Sequence, residues 1–209
     1  YSAKQNPGLL EQVMRPGLCQ ILPCAGNRHS LLIDVGASLS ADPVDLVRYG
    51  AMAQTTARVL LGIEKPTVGL LNIGHEPSKG DRRLLETHKL MESHISDFSG
   101  NVEGHEIWAG KSDVVVTAGI TGNILLKSAE GLIRLMRSHK GQSISSTENT
   151  HFNPDRYGGA FLLGINGICV VCHGKASSSE LIGGAVLAMK AVSSNLTDAI
   201  TCSLKELKI

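Results

Sequence analysis

The sequence predicts an α/β fold of three layers, α/β/α, with a mostly parallel sheet at its centre. Short apolar runs rich in β-branched residues alternate along the chain with longer segments of helical period, and this alternation is typical of such folds. The strand runs contain few polar residues, which indicates strands covered on both faces. Four strands are predicted, at 31–34, 68–73, 113–116 and 167–171. All 209 residues are expected to form a single domain.

The first predicted helix has the clearest boundaries. Asp42 supplies a capping side chain, Pro43 stands in the first turn, and Gly62 is suited to end the helix. Apolar residues extend beyond one narrow stripe of this helix, which predicts that it is buried against a second subunit. Three more helices are predicted, at about 80–93, at 122–137 and from 177 to near the C-terminus.

The remaining long segment, 138–156, is polar, lacks periodicity and is predicted to be a loop.

Composition and charge exclude several classes of function. Twenty Lys and Arg face nineteen Asp and Glu, for a net charge of +1, so no basic surface of the kind that nucleic acid requires is expected. No apolar stretch approaches the roughly 18–20 residues that span a bilayer, so any membrane contact is expected to be peripheral. Five cysteines without a leading signal segment favour reduced thiols in the cytoplasm.

The segment Cys169-Val-Val-Cys172-His173 has the spacing of a c-type haem attachment site. We reject that interpretation, because nothing signals export and the two cysteines of a β-strand at this spacing project to opposite faces. A zinc site would need a second pair of ligands, and Cys19 with Cys24 is a poor one. The cysteines are interpreted as small hydrophobic residues, and neither a metal nor a cofactor is expected.

Two glycine-containing loops join predicted strands to predicted helices. Residues 74–80 follow the strand at 68–73, and residues 117–123 follow the strand at 113–116. Ligands of open parallel sheets gather at the carboxyl ends of the strands, where the N–H groups of a following helix attract anions. Phosphate is therefore the expected ligand at this edge, although neither loop is a Walker motif or a dinucleotide fingerprint.

A series of segments, taken in order, resembles the PlsX-type phosphate acyltransferase family over roughly residues 13–192. Such an ordered series is far more specific than any one of its motifs. The segments are Leu-Leu-Ile-Asp-Val-Gly-Ala at 31–37, Val-Gly-Leu-Leu-Asn-Ile-Gly-His-Glu-Pro-Ser-Lys-Gly at 68–80, Gly-Asn-Val-Glu-Gly at 100–104, Ala-Gly-Lys-Ser-Asp-Val-Val-Val at 109–116, Thr-Gly-Asn-Ile-Leu-Leu-Lys at 121–127, Tyr-Gly-Gly-Ala-Phe-Leu-Leu-Gly at 157–164 and Cys-His-Gly at 172–174.

The resemblance implies an enzyme that forms acyl phosphate from an acyl carrier protein thioester and inorganic phosphate, in phospholipid synthesis. It further implies a fold similar to that of the isocitrate and isopropylmalate dehydrogenases, no cofactor, and a cytoplasmic homodimer. Peripheral contact with the membrane or with a downstream acyltransferase is also implied.

Roles for individual residues follow from the resemblance and from the two loops. Lys79, Gly80 and the helix start at 121–123 are expected to position phosphate, the turn at 157–159 to contact substrate or an oxyanion, and His173 to transfer protons. Simpler interpretations stay open: Lys79 as a solvated lysine, Asp34 as the cap of a turn, and His173 as a core histidine. The catalytic candidates are His173, Lys79 and Asn123. The substrate- and phosphate-binding candidates are Asp34, Gly36, Gly74, Glu76, Gly80, Asn101, Thr121, Gly122, Lys127, Tyr157, Gly158 and Gly159.

The chain also departs from the family pattern. Ala118 stands where the family has Asp before Gly-Phe-Thr-Gly-Asn, His75 replaces the first Glu of Gly-Glu-Glu, and the shorter segment between Arg137 and Tyr157 weakens the expectation of membrane contact. The family's Asp-Ala-Met-Gly-Gly-Asp and Ser-Ala-Gly-Asn-Thr-Gly-Ala segments have no counterpart before Tyr1. The chain is therefore expected to correspond to the C-terminal, larger part of such an enzyme, whether as a fragment, beside a companion chain, or after loss of that region.

Two alternatives from other classes stay open. The chain could be an acyl-phosphate-forming subunit of an amino-acid reductase complex, with a protein cysteine as acyl donor. It could instead be a non-catalytic protein that keeps the scaffold and binds a carrier protein or a partner chain. Formation of acyl phosphate would separate these possibilities.

Overall fold

The computed structural model describes residues 7–139 and 159–209, and its seven strands form one sheet in the order β4-β3-β5-β2-β1-β6-β7. The strands β4, β3, β5 and β2 are parallel to one another, whereas β1 runs antiparallel to β2 and β6, and β7 runs antiparallel to β6. Five of the seven strands therefore point the same way. The strands are β1 (Gly17–Cys24), β2 (Arg28–Ile33), β3 (Val68–Leu71), β4 (Phe98–Val102), β5 (Val114–Val116), β6 (Ala160–Leu163) and β7 (Val170–Val171).

Helices cover both faces of this sheet. The larger core joins one face to α1, α2 and α6, and a second core joins the other face to α3 and α4. Neighbouring side chains of one strand enter different cores: Leu31 and Ile33 lie in the first and Leu32 in the second. The helices are α1 (Pro43–Thr56), α2 (Arg82–His94), α3 (Gly104–Ala109), α4 (Gly119–His139), α5 (Ser178–Ser193) and α6 (Leu196–Glu206).

The three-layer α/β architecture with a mostly parallel sheet is thereby confirmed. The predicted start of α1 is also confirmed, because Asp42 accepts a hydrogen bond from the N–H of Asp45 at 2.8 Å and Pro43 is the first helical residue. The helix continues through a π-helical segment, Ala57–Leu61, and ends at Gly62, whose φ of 70° is left-handed as predicted.

Other expectations were wrong. The breadth of the apolar surface of α1 is explained within the chain, since α2, α6 and β5 all pack on this helix. The helix expected from 177 onward is two helices, because the backbone at Asn195 turns left-handed with a φ of 50°. The strands β1, β4 and β6 were not predicted, and β4 carries Ser, Gly and Asn that are poor signals for a strand.

Two expectations concern the segment after α4. The helix extends to His139, so the first two residues of the predicted loop at 138–156 are helical, and the rest of that loop lies outside the described residues. In the part of the chain that the structure describes, no helix is both long enough and apolar enough to cross a membrane.

Candidate functional site

The loop after β2 is built around the buried carboxylate of Asp34. Oδ1 accepts hydrogen bonds from the N–H groups of Leu18, Gly36 and Ala37 at 2.8–2.9 Å, and Oδ2 accepts one from Ser38 at 2.7 Å. The side chain is fully shielded from solvent. Four backbone donors satisfy a carboxylate, so Asp34 fixes the shape of the loop and offers no donor to an anion. Asp34 was predicted to bind substrate or phosphate, with the cap of a turn as the simpler interpretation, and its contacts fit the cap.

The first turn of α4 packs directly on this loop. A Cβ atom added to Gly119 would lie 2.7 Å from Oδ2 of Asp34, and one added to Gly122 would contact the carbonyl oxygen of Asp34. Gly36, with a φ of 127°, faces the side chain of Asn123. Only glycine permits this approach, and it sets the N–H groups of the first turn beside the loop, where they can attract an anion.

Thr121 and Asn123 are exposed in this same turn. Their polar side chains lie at the carboxyl edge of the sheet, next to the Asp34 loop, as the sequence predicts.

The loop after β3 presents Lys79. The N–H of Lys79 donates to the carbonyl oxygen of Glu76 at 3.0 Å, and the carbonyl oxygen of Lys79 accepts from Nδ2 of Asn72 at 3.0 Å. A Cβ atom added to Gly74 would lie 3.3 Å from Cγ of Lys79 and 3.0 Å from Oε2 of Glu76. The side chain of Lys79 therefore crosses over Gly74, while Gly80, with a φ of 96°, lets the chain turn into α2.

The three loops lie side by side because β3, β5 and β2 are adjacent and parallel. Strands in a sheet are about 4.8 Å apart, so the ends of β3 and β2 are separated by roughly 10 Å. At this edge, Lys79 follows β3 and the first N–H groups of α4 follow the neighbouring strand β5. Such a constellation can bind a small anion and stabilise negative charge that develops on a substrate.

Asn101 lies beneath this surface, on β4, and does not face the open edge of the site. Its side chain is buried and donates from Nδ2 to the carbonyl oxygen of Glu76 at 2.8 Å. The backbone oxygen of Asn101 lies 3.2 Å from Nδ1 of His75. The structure therefore places Asn101 as a support of the Lys79 loop.

A small charged cluster borders the same loop. Nε2 of His75 lies 3.4 Å from the carboxylate of Glu106, which also accepts hydrogen bonds from Lys111 and from the N–H of Glu103. Burial raises the pKa of Glu106, but the hydrogen bonds from Lys111 and Glu103 outweigh this effect, and its pKa is lowered overall. Glu106 therefore carries a negative charge near neutral pH.

Several predicted site residues are not brought to this edge. His173 is exposed beyond β7, the outermost strand, and because β7 runs antiparallel to β6, His173 lies at the opposite end of the sheet. Its Nδ1 accepts from the N–H of Lys175 at 3.2 Å. Within one chain, His173 is too far from Lys79 to exchange a proton with the same substrate.

The other candidates that lie apart are Gly159 and Lys127. Gly159 precedes β6 at its amino-terminal end and packs against β7. Lys127 is about 12 Å along α4 from Gly119 by the rise of a helix and forms an ion pair with Glu130 at 3.0 Å. Tyr157 and Gly158 lie outside the described residues.

Sequence analysis missed two buried polar residues, Asn72 and His88. Asn72 contacts both ends of the Lys79 loop, and His88 on α2 contacts Asn101. A polar residue inside the apolar run that ends β3 was a usable signal for Asn72. His88 gave no such signal, because its partner lies on another element.

The structure also bears on the expectations for metals and cysteines. Among residues 7–139 and 159–209, no group of three His, Cys, Asp or Glu is arranged to hold a metal ion. Cys19 and Cys24 are buried, as expected of small hydrophobic residues, whereas Cys169 and Cys172 are only half-buried. Cys169 lines a small apolar pocket with Phe161 and Ile200.

Comparisons with known proteins match almost the whole chain. A family model described as fatty acid synthesis protein matches residues 2–199. A phosphate acyltransferase of Desulforudis audaxviator is 34% identical over 96% of this chain and 64% of its own length, and one of Thermobifida fusca is 36% identical over 91% and 58%. The chain thus spans about three fifths of the length of these relatives.

A solved structure shares the fold. The EutD phosphotransacetylase from Staphylococcus aureus superposes with a TM-score of 0.58 at 14% identity, covering 98% of this chain and 58% of its own. At this identity the likeness concerns the fold alone.

Proposed function

Because this chain belongs to the fatty acid synthesis protein family, we propose that it takes part in transfer of an acyl group to inorganic phosphate, with acyl phosphate as the product. The observation that carries the proposal is the convergence of Lys79 and the first turn of α4 at the ends of adjacent strands. The ammonium group and the helix N–H groups suit a phosphate dianion. The relatives named phosphate acyltransferase support the same reaction.

The reaction places clear demands on this edge of the sheet. An oxygen of phosphate attacks the carbonyl carbon of a thioester, a C–O bond forms, and the carbonyl electrons move to oxygen. The oxyanion then collapses, the C–S bond breaks, and the thiolate leaves and takes up the proton that hydrogen phosphate gives up. These steps balance without an oxidant or reductant. Fixed N–H groups and the Lys79 charge would hold phosphate for attack and stabilise the oxyanion.

We propose an acyl carrier protein thioester as the acyl donor. Exposed aliphatic side chains on two of these loops and on the first turn of α4 support a donor with an apolar chain: Leu39 is 78%, Ile73 is 80% and Ile120 is 52% exposed. Aliphatic side chains grouped at a polar site are typical of surfaces that contact an apolar ligand. We further propose that the protein acts in phospholipid synthesis in the cytoplasm and contacts the membrane peripherally or a downstream acyltransferase. The proposal also includes a fold similar to that of the isocitrate and isopropylmalate dehydrogenases.

The test measures phosphate-dependent release of carrier thiol from a long-chain acyl carrier protein, with acyl phosphate trapped by hydroxylamine. Lys79→Ala is expected to lower kcat/KM for phosphate about a hundredfold, since a charge-assisted contact contributes about 1.5–3 kcal/mol. Lys65→Ala is the matched control, because Lys65 is an exposed lysine that precedes the opposite end of β3. Equal turnover by the two variants would remove Lys79 from the mechanism.

If the unaltered chain is folded but neither it nor its variants show turnover, the proposed activity is contradicted for these 209 residues. Addition of a polypeptide matching the N-terminal segments of the family would then show whether activity needs that region.

We also propose a homodimer that buries the outer face of α5. Five large aliphatic side chains of this helix are exposed, with no charged residue between them on that face: Leu181, Ile182, Val186, Met189 and Val192. The helix α5 is held to the chain by Ala191, which is buried, and by the exposed Lys190, whose Nζ donates to the carbonyl oxygen of Leu60 at 2.6 Å. An apolar face of this extent is typical of subunit contacts.

Sedimentation velocity tests this arrangement. Met189→Glu is expected to convert a dimer to a monomer, because it places a charge within the apolar face, while Ser93→Glu at an exposed position of α2 should leave the dimer intact. A monomeric unaltered chain would contradict the proposal.

A further inference from the structure

Three buried polar side chains support the Lys79 loop from beneath. His88, Asn101 and Asn72 are all buried, although polar side chains are mostly exposed in proteins unless they are hydrogen-bonded. They lie on α2, on β4 and at the end of β3. Their contacts lead from the interior of the molecule to the backbone on both sides of Lys79.

The first contact runs from α2 through β4. Nδ1 of His88 lies 3.0 Å from Oδ1 of Asn101, and Nδ2 of Asn101 donates to the carbonyl oxygen of Glu76 at 2.8 Å. An amide oxygen only accepts, so Nδ1 of His88 carries the proton, and a neutral imidazole suffices. The ring is held edge-on to Phe98 at a centroid distance of 5.1 Å. The donor atom, Nδ1 of His88, is therefore held in a fixed position.

The second contact comes from the end of β3. Asn72 accepts from the N–H of Ile73 at 2.8 Å and donates to the carbonyl oxygen of Lys79 at 3.0 Å. The carbonyl oxygen of Glu76 receives both the amide of Asn101 and the N–H of Lys79. The backbone of Lys79 is thus held on both sides, its N–H by Glu76 and its carbonyl by Asn72.

We propose that His88, acting through Asn101, and Asn72 are positioning residues that hold the Lys79 loop in the conformation that binds phosphate. The proposal rests on the proposed function for the identity of the ligand. Since neither residue faces the reacting atoms, their loss should weaken phosphate binding more than the chemical step. The expected signature is a raised KM for phosphate with little change in kcat.

The test compares four variants of the 209-residue chain, the fourth of them Asn72→Ala. His88→Leu removes the donor while keeping an apolar volume, and His88→Asn restores a donor close to the position of Nδ1. His94→Leu is the matched control, a histidine in the last turn of the same helix. KM and kcat for phosphate are measured, together with the Kd for inorganic phosphate and amide hydrogen exchange at Lys79.

His88→Leu is expected to raise both KM and Kd for phosphate about tenfold and to speed exchange at Lys79, because one positioned hydrogen bond contributes about 1–1.5 kcal/mol. His88→Asn should return each value to within about threefold, by the same energetic argument. His94→Leu should leave all three readouts unchanged. Asn72→Ala should reproduce the effect of His88→Leu from the other side of the loop, and it carries the test if His88→Leu does not fold.

Faster exchange at Lys79 without a change in phosphate affinity would overturn the proposal, as would failure of His88→Asn to restore the affinity. If the unaltered chain binds phosphate but forms no acyl phosphate, the proposed function fails and the Kd and exchange data still decide the positioning role. If it binds no phosphate at all, both proposals fail.

Discussion

Gly122 lies directly against the carbonyl oxygen of Asp34, so close that no Cβ atom fits between them. The same is true of Gly119 and the carboxylate of Asp34, where an added Cβ would lie 2.7 Å from Oδ2. Two segments that are more than 80 residues apart in the chain are therefore locked together at the carboxyl edge of the sheet. The geometry of the candidate anion site depends on this contact.

A methyl group at 122 should force the two segments apart. We expect Gly122→Ala to lower the free energy of unfolding by about 2 kcal/mol, the typical effect of overpacking, and to weaken phosphate binding. Gly131→Ala is the matched control on the same helix, since a Cβ there meets no atom within 4 Å. It should stabilise the chain by about 1 kcal/mol, because alanine is the better helix former. Urea unfolding and phosphate titration measure both variants.

Equal stability of these two variants would show that α4 can move away from the Asp34 loop without loss. That result would also remove the structural basis of the candidate site.

The carboxylate of Asp34 gives a second prediction. Asp34→Asn keeps the size of the side chain, but an amide has one acceptor oxygen, so its NH2 group must face either the N–H of Ser38 or the N–H groups of Gly36 and Ala37. We expect the free energy of unfolding, measured with urea, to fall by about 3 kcal/mol. A buried N–H group would lose its acceptor, and the remaining hydrogen bonds would no longer be made to a charged oxygen.

Asp81→Asn serves as the control for this change. Asp81 is an exposed cap that accepts from the N–H of Leu84 at 2.9 Å and lies 4.0 Å from Arg83, an exposed pair that contributes little, and asparagine caps helices as well as aspartate does. The free energy of unfolding of the Asp81→Asn variant should equal that of the unaltered chain. A tolerated Asp34→Asn would show that the loop can hold its shape by other means.

Two of the strand-end loops, 74–80 and 117–123, were predictable because a local signal marks them: an apolar run, then glycine, then helical period. Asp34 was found through the family resemblance, and the structure brings its loop beside the other two. The failure at His173 has a different cause. The residues before it read as one more strand, but β7 has only two residues, and nothing in its sequence states that it runs antiparallel at the far edge.

Tertiary contacts explain the remaining misses. In the sequence, nothing distinguishes His88 from the other histidines. Its structural role depends on the hydrogen bond to Asn101, which lies 13 residues further along the chain on another element. The broad apolar surface of α1 was interpreted as a subunit contact because sequence alone does not reveal that α6, near the C-terminus, returns to cover it. Pattern predicts that a face is buried but does not identify what covers it.

Thiol reactivity gives a third prediction. Burial raises the pKa of Cys24 to about 11 and raises that of Cys19 further, so neither forms a thiolate near neutral pH, whereas Cys202 is exposed on α6. Iodoacetamide at pH 8 should modify Cys202 in the folded chain and leave Cys19 and Cys24 unmodified, as read by mass spectrometry of peptides. All five cysteines should react in denaturant. Early modification of Cys19 would contradict the core packing of β1.

The lowered pKa of Glu106 makes part of the stability depend on pH. Its folded-state pKa lies below its ordinary value of 4.5, so the charged carboxylate stabilises the fold above pH 4.5, and this contribution is lost as the pH falls through the folded-state pKa. Glu106→Gln should therefore lower the free energy of unfolding by about 1 kcal/mol at pH 7, because hydrogen bonds from Lys111 and Glu103 are weakened. Near pH 3 the difference from the unaltered chain should shrink, because more of the Glu106 carboxylate is protonated there.

Urea titrations at the two pH values measure this difference. Glu92→Gln, on the exposed face of α2, is the control and should show no difference at either pH. A constant deficit of Glu106→Gln across the range would mean that the glutamate acts through packing, and the cap of α3 would then not depend on its charge.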